Sequence, residues 1–170
     1  MTTTNVKRIV VIGMLIALQI VLTRLVSIQL PTNRVGFGFL PLALTSILFG
    51  PLYGAIAAVI ADIVGFFLFP PPVGAFFPGF ALTAGLSGAI FGLFLYKKPR
   101  KLFNIAVATF CVSLLQLVLN TIWLYMITNV GILVMLPDRI ITTLIMLPVQ
   151  ISMITFFCNV VVSRLNVQYD

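Results

Sequence analysis

The sequence predicts an all-α, polytopic membrane protein with six transmembrane helices and both termini in the cytoplasm. Three observations lead there. Of the 170 residues, 61% are hydrophobic and 8% are charged, with mean hydropathy +1.22, whereas soluble domains carry roughly 25% charged residues. Too few charges remain to coat a water-facing surface, so lipid must solvate the apolar one. Apolar runs suited to a hydrocarbon core near 30 Å recur along the chain. Finally, Lys97, Lys98, Arg100 and Lys101 crowd a short loop between two such runs, and clustered Lys and Arg stay on the cytoplasmic side.

The same composition excludes several functions. A net charge of +7 in a soluble domain would suggest nucleic acid. Here the basic residues sit at helix ends, where membrane orientation explains them and a nucleic-acid partner does not. Cys111 and Cys158 lie inside apolar runs without metal-ligand spacing. Histidine is absent, which removes the commonest metal ligand and general base. No nucleotide-binding loop, catalytic triad or carboxylate pair is present, so neither a catalytic residue nor a cofactor or metal is expected. No soluble domain is expected to flank the helices, so energised transport would need another subunit to hydrolyse nucleotide.

Helix 1 is expected over residues 8–30. Lys7-Arg8 followed by Ile9 to Leu22 resembles a signal peptide, but no small-residue cleavage site follows and more apolar segments do, which predicts a retained span. Its second half holds Gln19, Thr23, Arg24, Ser27 and Gln29. Arg24 either faces the bundle or a cavity or snorkels to the interface. Residues 31–38, with Pro31, Gly36 and Gly38, read as a loop whose one charge is Arg34. Helices 2 and 3 are expected at 39–50 and 52–69, separated by Gly50-Pro51. Parity requires two crossings there: with Lys7 and Arg8 inside, a single crossing would place the Lys97–Lys101 loop outside, against the charge rule. Helix 2 is short for a span and should stop short of one surface.

The segment 69–80 is an outer loop rich in Pro and Phe, either an interfacial hairpin or a lid over an apolar ligand. Helix 4 spans 80–96, and Gly85, Gly88 and Gly92 give it one small face for close packing. Helix 5 covers 102–128, an outer turn follows at 129–131, and helix 6 covers 134–164, bent near Pro148. Lys7, Arg8, Lys97, Lys98, Arg100, Lys101 and Arg164 then fall inside, while Arg24, Arg34 and Arg139 fall towards the outer half.

Candidate functional residues follow from that division. Three outer arginines around one cavity would favour an anion, since a guanidinium matches a carboxylate bidentately; headgroup anchoring is the alternative, and Asp138 offsets part of Arg139. Asp62, inside helix 3, either accepts from a heteroaromatic ligand or pairs structurally with an arginine. Gln116, Asn120 and Trp123 lie at i, i+4 and i+7 on one stripe of helix 5, able to bond and stack a planar ring or to glue helices together. Phe80 and Tyr125 are further stacking candidates. Gly13 and Ala17 form a small-residue face on helix 1, open to another helix of this chain or of a partner.

Phe49-Gly50-Pro51-Leu52-Tyr53-Gly54-Ala55 leading to Ala61-Asp62, Phe77-Pro78-Gly79-Phe80-Ala81-Leu82-Thr83-Ala84, and Gly88-Ala89-Ile90-Phe91-Gly92-Leu93-Phe94-Leu95-Tyr96 carry a resemblance over nearly the whole chain. It resembles the S components, the substrate-binding membrane subunits of energy-coupling factor vitamin transporters, and the Phe-Pro-Gly-Phe segment points to the folate-specific branch. The resemblance implies high-affinity capture of folate from outside at the bacterial cytoplasmic membrane. It also implies partnership with a membrane scaffold (T) subunit and two cytoplasmic ATPases, and toppling of the S component after binding. Gly13 and Ala17 match the family's Ala-x-x-x-Ala scaffold contact with Gly in place of the first Ala. Folate would then meet Arg24 or Arg34 at its carboxylates, Asp62 or Asn120 at its ring edge, and Phe80 or Trp123 at its face. An S component for riboflavin or thiamine and a non-transporting assembly protein are the alternatives.

Overall fold

The shortest helix lies deepest. In the computed structural model, which describes residues 3–29, 34–70, 76–98, 101–128 and 130–165, α2 (Phe39–Phe49) has every residue from Leu40 to Ile47 buried. Eleven residues at 1.5 Å each reach only about 16 Å, half a hydrocarbon core. Apolar apart from Thr45 and Ser46, whose hydroxyls bond backbone carbonyls, the helix is stable only where neighbours surround it: it packs on α1 (Thr3–Arg24), α3 (Pro51–Leu68), α4 (Pro78–Leu95) and α6 (Ile132–Leu165). Pro41 is tolerated because the first turn has no intrahelical N–H to lose.

The five other helices are long and apolar enough to cross a membrane. In sequence order α3 packs on α4, α4 on α5 (Leu102–Thr128), and α5 on α6, while α1 lies against α2 and α3. The α3–α4 contact is the tightest. A side chain at Gly88 would fall on the Gly54 carbonyl, and one at Gly92 on Pro51. Ser46 of α2 reinforces it, its hydroxyl lying 2.9 Å from the Gly88 carbonyl. The expected small face of α4 is therefore a helix-packing face. Gly50 turns α2 into α3 at φ +96°, a conformation costly for any residue with a Cβ.

Several boundaries differ from expectation. Helix 1 was expected to reach residue 30 and a loop to fill 31–38, but α1 ends at Arg24 and a strand pair follows; residues 30–33 lie outside the described residues. Ser27–Gln29 (β1) pairs antiparallel with Arg34–Gly36 (β2), Ile28 opposite Val35. Pro31 disfavours helix in the residue before it, and the alternating Ser27-Ile28-Gln29 finds ladder partners instead. Helices α3 and α4 start on Pro51 and Pro78, earlier than expected, because proline is preorganised for the first helical position. Helix α6 runs from Ile132 to Leu165 with Pro137 and Pro148 inside it. Within the expected outer loop 69–80, residues 71–75 lie outside the described residues; so do Asn129, Arg100 and the side chains of Arg34 and Arg164.

Candidate functional site

A cavity of about 230 Å³ lies towards the end of the bundle opposite Lys97 and Lys98, between α1, β2, α2, α4, α5 and α6. This approaches the roughly 300–1,000 Å³ of typical small-molecule sites. Phe39 and Leu42 of α2 form its apolar wall, Thr23 enters from α1, and Ser113, Gln116 and Asn120 project from α5. Helix α6 supplies Arg139, Thr142, Thr143, Met146 and Gln150. The spacing 139, 142, 143, 146, 150 is one helical face, which is why a single helix can furnish a third of the lining.

The polar groups are held in defined positions. Ser113 donates to Gln150 Oε1 at 3.4 Å, leaving the Gln150 amide hydrogens for something else. Gln116 donates to the Ser87 hydroxyl at 3.3 Å, and Ser87 donates to the Thr83 carbonyl at 2.8 Å. Arg139, 7% exposed, donates to the Thr121 hydroxyl at 3.1 Å. Asn120 Oδ1 is buried with no donor among the described residues, a costly state for a polar atom unless a ligand or water completes it. The lining thus combines neutral amide and hydroxyl groups with one cation, Arg139, and one aromatic ring, Phe39. Such a set suits a flat molecule with a donor–acceptor edge and an anionic group.

Of the residues expected at the site, Gln116, Asn120 and Arg139 line the cavity together. Arg24 and Asp62 stand apart from its lining and are paired with each other, Arg24 Nη2 lying 3.3 Å from Asp62 Oδ1. That guanidinium also donates to the Asp62 carbonyl at 3.5 Å and lies over Gly65, whose missing side chain makes the room. The pair ties the last residue of α1 to α3, directly beside Thr23 in the cavity wall. Trp123 and Phe80 are likewise outside the lining. They flank Phe77, with ring centres 5.4 Å and 6.2 Å from it, and Trp123 donates to Thr83 at 3.0 Å. Arg34 is placed by its backbone in β2, which also gives Gly36 to the cavity. Thr23, Ser113, Thr142, Thr143 and Gln150 also line the cavity but were not among the expected site residues, although the polar stripe of α6 recurs at helical period in an apolar helix. Gly13 and Ala17 are exposed on α1, and a side chain added at Gly13 would meet nothing within 4 Å.

A family model described as "ECF transporter, substrate-specific component" matches residues 7–163. The chain belongs to this family. Among its relatives is the folate transporter FolT of Clostridium novyi (strain NT), 37% identical over 147 residues, covering 86% of this chain and 84% of that protein. The folate transporter FolT of Leuconostoc mesenteroides subsp. mesenteroides is 33% identical over 162 residues, covering 91% and 86%. A solved structure described as "Crystal structure of FolT bound with folic acid" superposes with TM-score 0.85 at 33% identity, covering 90% of this chain and 93% of that one. In a substrate-specific component the role of a buried, part-unsatisfied polar cavity is to hold a solute, and no group in it is asked to make or break a bond.

Proposed function

We infer that this chain captures folate and delivers it across the membrane as the substrate-specific component of an energy-coupling factor importer. The observation that carries this is its likeness to FolT over most of both chains, in sequence and in fold. The cavity agrees chemically. A pterin ring is flat with a mixed donor–acceptor edge, which Asn120 Oδ1, the Gln150 amide and Gln116 can complete, with Phe39 against its face. The glutamate carboxylates want a guanidinium, and Arg139 lines the cavity while Arg34 stands on the adjoining β2. Arg24, already joined to Asp62, serves as a brace that holds α1 and the hairpin to α3. Trp123 and Phe80 stiffen the neighbouring end of α4 and α5.

The membrane arrangement belongs to the same reading. Residues 1–170 form one integral domain in the cytoplasmic membrane of a bacterium, with six spans, α2 the short one, and both termini inside. Lys7, Arg8 and the Lys97–Lys101 loop then face the cytoplasm, as the charge rule requires, and the cavity opens outward. A membrane scaffold subunit docks on α1 at Gly13 and Ala17, where an unfilled surface admits another helix closely, and two cytoplasmic ATPases supply the energy. Mass spectrometry of small molecules that copurify with the protein tests the solute: folate is expected, while bound riboflavin or thiamine would reassign it. Copurification of the scaffold and ATPase subunits tests the assembly.

A further inference from the structure

At the end of the bundle away from the cavity, Arg8 is built into a place that solute capture does not use. Its Cζ lies 4.6 Å from the ring centre of Tyr53 and 5.4 Å from that of Phe49, both within the roughly 6 Å at which a ring face attracts a cation. The two rings flank the Gly50-Pro51 turn, so the backbone that joins α2 to α3 positions them. Held in this way, the half-buried guanidinium makes no hydrogen bond and no ion pair among the described residues. Its N–H fork, fixed from the ring side, remains available.

The surroundings select what that fork can hold. Tyr96 packs on the other side of the turn, where a side chain at Gly50 would sit 3.5 Å from its ring, and the exposed Lys97 and Lys98 follow it. Asp62 and Asp138 both lie towards the opposite end of the bundle, on the far parts of α3 and α6 from this turn, so no described carboxylate balances these cations. Beside Tyr53, Leu52 and Ile56 are 68% and 49% exposed, an apolar strip running up α3 from the guanidinium. An anion bearing hydrocarbon satisfies both features at once, whereas a free anion leaves the strip bare.

We propose that Arg8, backed by Phe49 and Tyr53, binds the phosphate of an anionic phospholipid whose acyl chains lie along Leu52 and Ile56. The guanidinium edge matches a phosphate bidentately, and its own positive charge disfavours the cationic choline that a zwitterionic headgroup holds beside that phosphate, with the exposed Lys97 and Lys98 adding only to the positive field. At an inner leaflet rich in anionic lipid such a site is continuously supplied. The proposal rests on the chain spanning a bilayer and not on the identity of its solute.

The test is native mass spectrometry of the full chain released from nanodiscs of equal phosphatidylglycerol and phosphatidylcholine. Wild type is expected to retain phosphatidylglycerol about tenfold over phosphatidylcholine, Arg8→Gln to bring that ratio near unity, and Arg8→Lys to fall between. Lys98→Gln, which removes equal charge from the same end, is expected to leave most of the preference. Folate affinity and melting temperature of Arg8→Gln should match wild type, so a lost preference is not unfolding; if Arg8→Gln does not fold, Tyr53→Leu, which strips one ring from behind the guanidinium, is expected to lower the ratio. Equal retention by wild type and Arg8→Gln overturns the site. So does displacement of the lipid by millimolar inorganic phosphate, which would mark a free-anion site. An unchanged lipid ratio with weakened scaffold assembly would assign Arg8 to a protein partner instead.

Discussion

The α3–α4 contact and the α2–α5–α6 space are built from opposite materials. Between α3 and α4, glycines bring two backbones together until a single methyl has no room, as at Gly88 against Gly54. Between α2, α5 and α6, amides, hydroxyls and one guanidinium keep the helices apart around a cavity of about 230 Å³. Among apolar helices in lipid, hydrophobicity gives no reason for one contact to be closer than another; small side chains and interhelical hydrogen bonds decide it. The first region therefore reads as a rigid pair that sets the frame, and the second as a gap kept open by polar groups waiting for a partner. Substitutions should separate them, the first region answering in stability and the second in affinity.

The largest effect is expected at Gly88. Gly88→Leu forces α3 from α4, at a cost of at least about 1–3 kcal/mol for overpacking, and should abolish a cooperative thermal transition in detergent. Gly13→Leu, on the open face of α1, should melt like wild type. A melting temperature for Gly88→Leu within a few degrees of wild type would show that the frame is soft. Next is Arg139→Gln: a bond between a charged group and a carboxylate contributes about 1.5–3 kcal/mol, so titration calorimetry should report folate binding weaker by roughly 10- to 100-fold. A tail-less pterin should lose far less.

The Arg24–Asp62 pair lies between the two regions, anchored on α3 and directly beside Thr23 of the cavity wall. Either Arg24→Gln or Asp62→Asn leaves a charge without its partner and should cost about 2 kcal/mol of stability, while the double variant should recover most of it, the mark of coupled residues. Folate and a tail-less pterin should be weakened equally by Arg24→Gln. A selective loss of folate would instead return Arg24 to the carboxylate site. The smallest effect is at Asn120. Asn120→Leu removes a buried acceptor that lacks a donor among the described residues, so the empty protein should melt slightly higher, while folate weakens about fivefold for the loss of one neutral hydrogen bond, the ordinary exchange of stability for function.

How far the chain could be read in advance differs between the same two regions. Gly85, Gly88 and Gly92 declare a packing face by spacing alone, because close approach needs only that nothing be there. The hairpin was not legible: Ser27–Gln29 is too short to declare a strand, and its partner Arg34–Gly36 becomes relevant only once the two segments pair. Asp62 and Arg24 were legible as buried charges, but sequence offers each several partners and only the packing of α1 on α3 joins them. Asn120 and Gln116 are readable on α5; Thr143 and Gln150 share a helical period with Arg139, but Pro137 and Pro148 ordinarily break a helix, so only the structure shows that α6 runs unbroken and presents them on one face. Trp123 looked like a stacking platform, yet Thr83 and Phe77 already occupy its N–H and one neighbour of its ring.

Trp123 nevertheless provides the most direct measurement. It is the only tryptophan in the chain and stands one turn from Asn120, so a solute entering the cavity should alter its fluorescence. Titration of the purified, folded protein with folate is expected to change that emission saturably at one folate per chain, with no competition from riboflavin or thiamine. Folded protein that shows no saturable response, and equally none by calorimetry, would contradict folate capture.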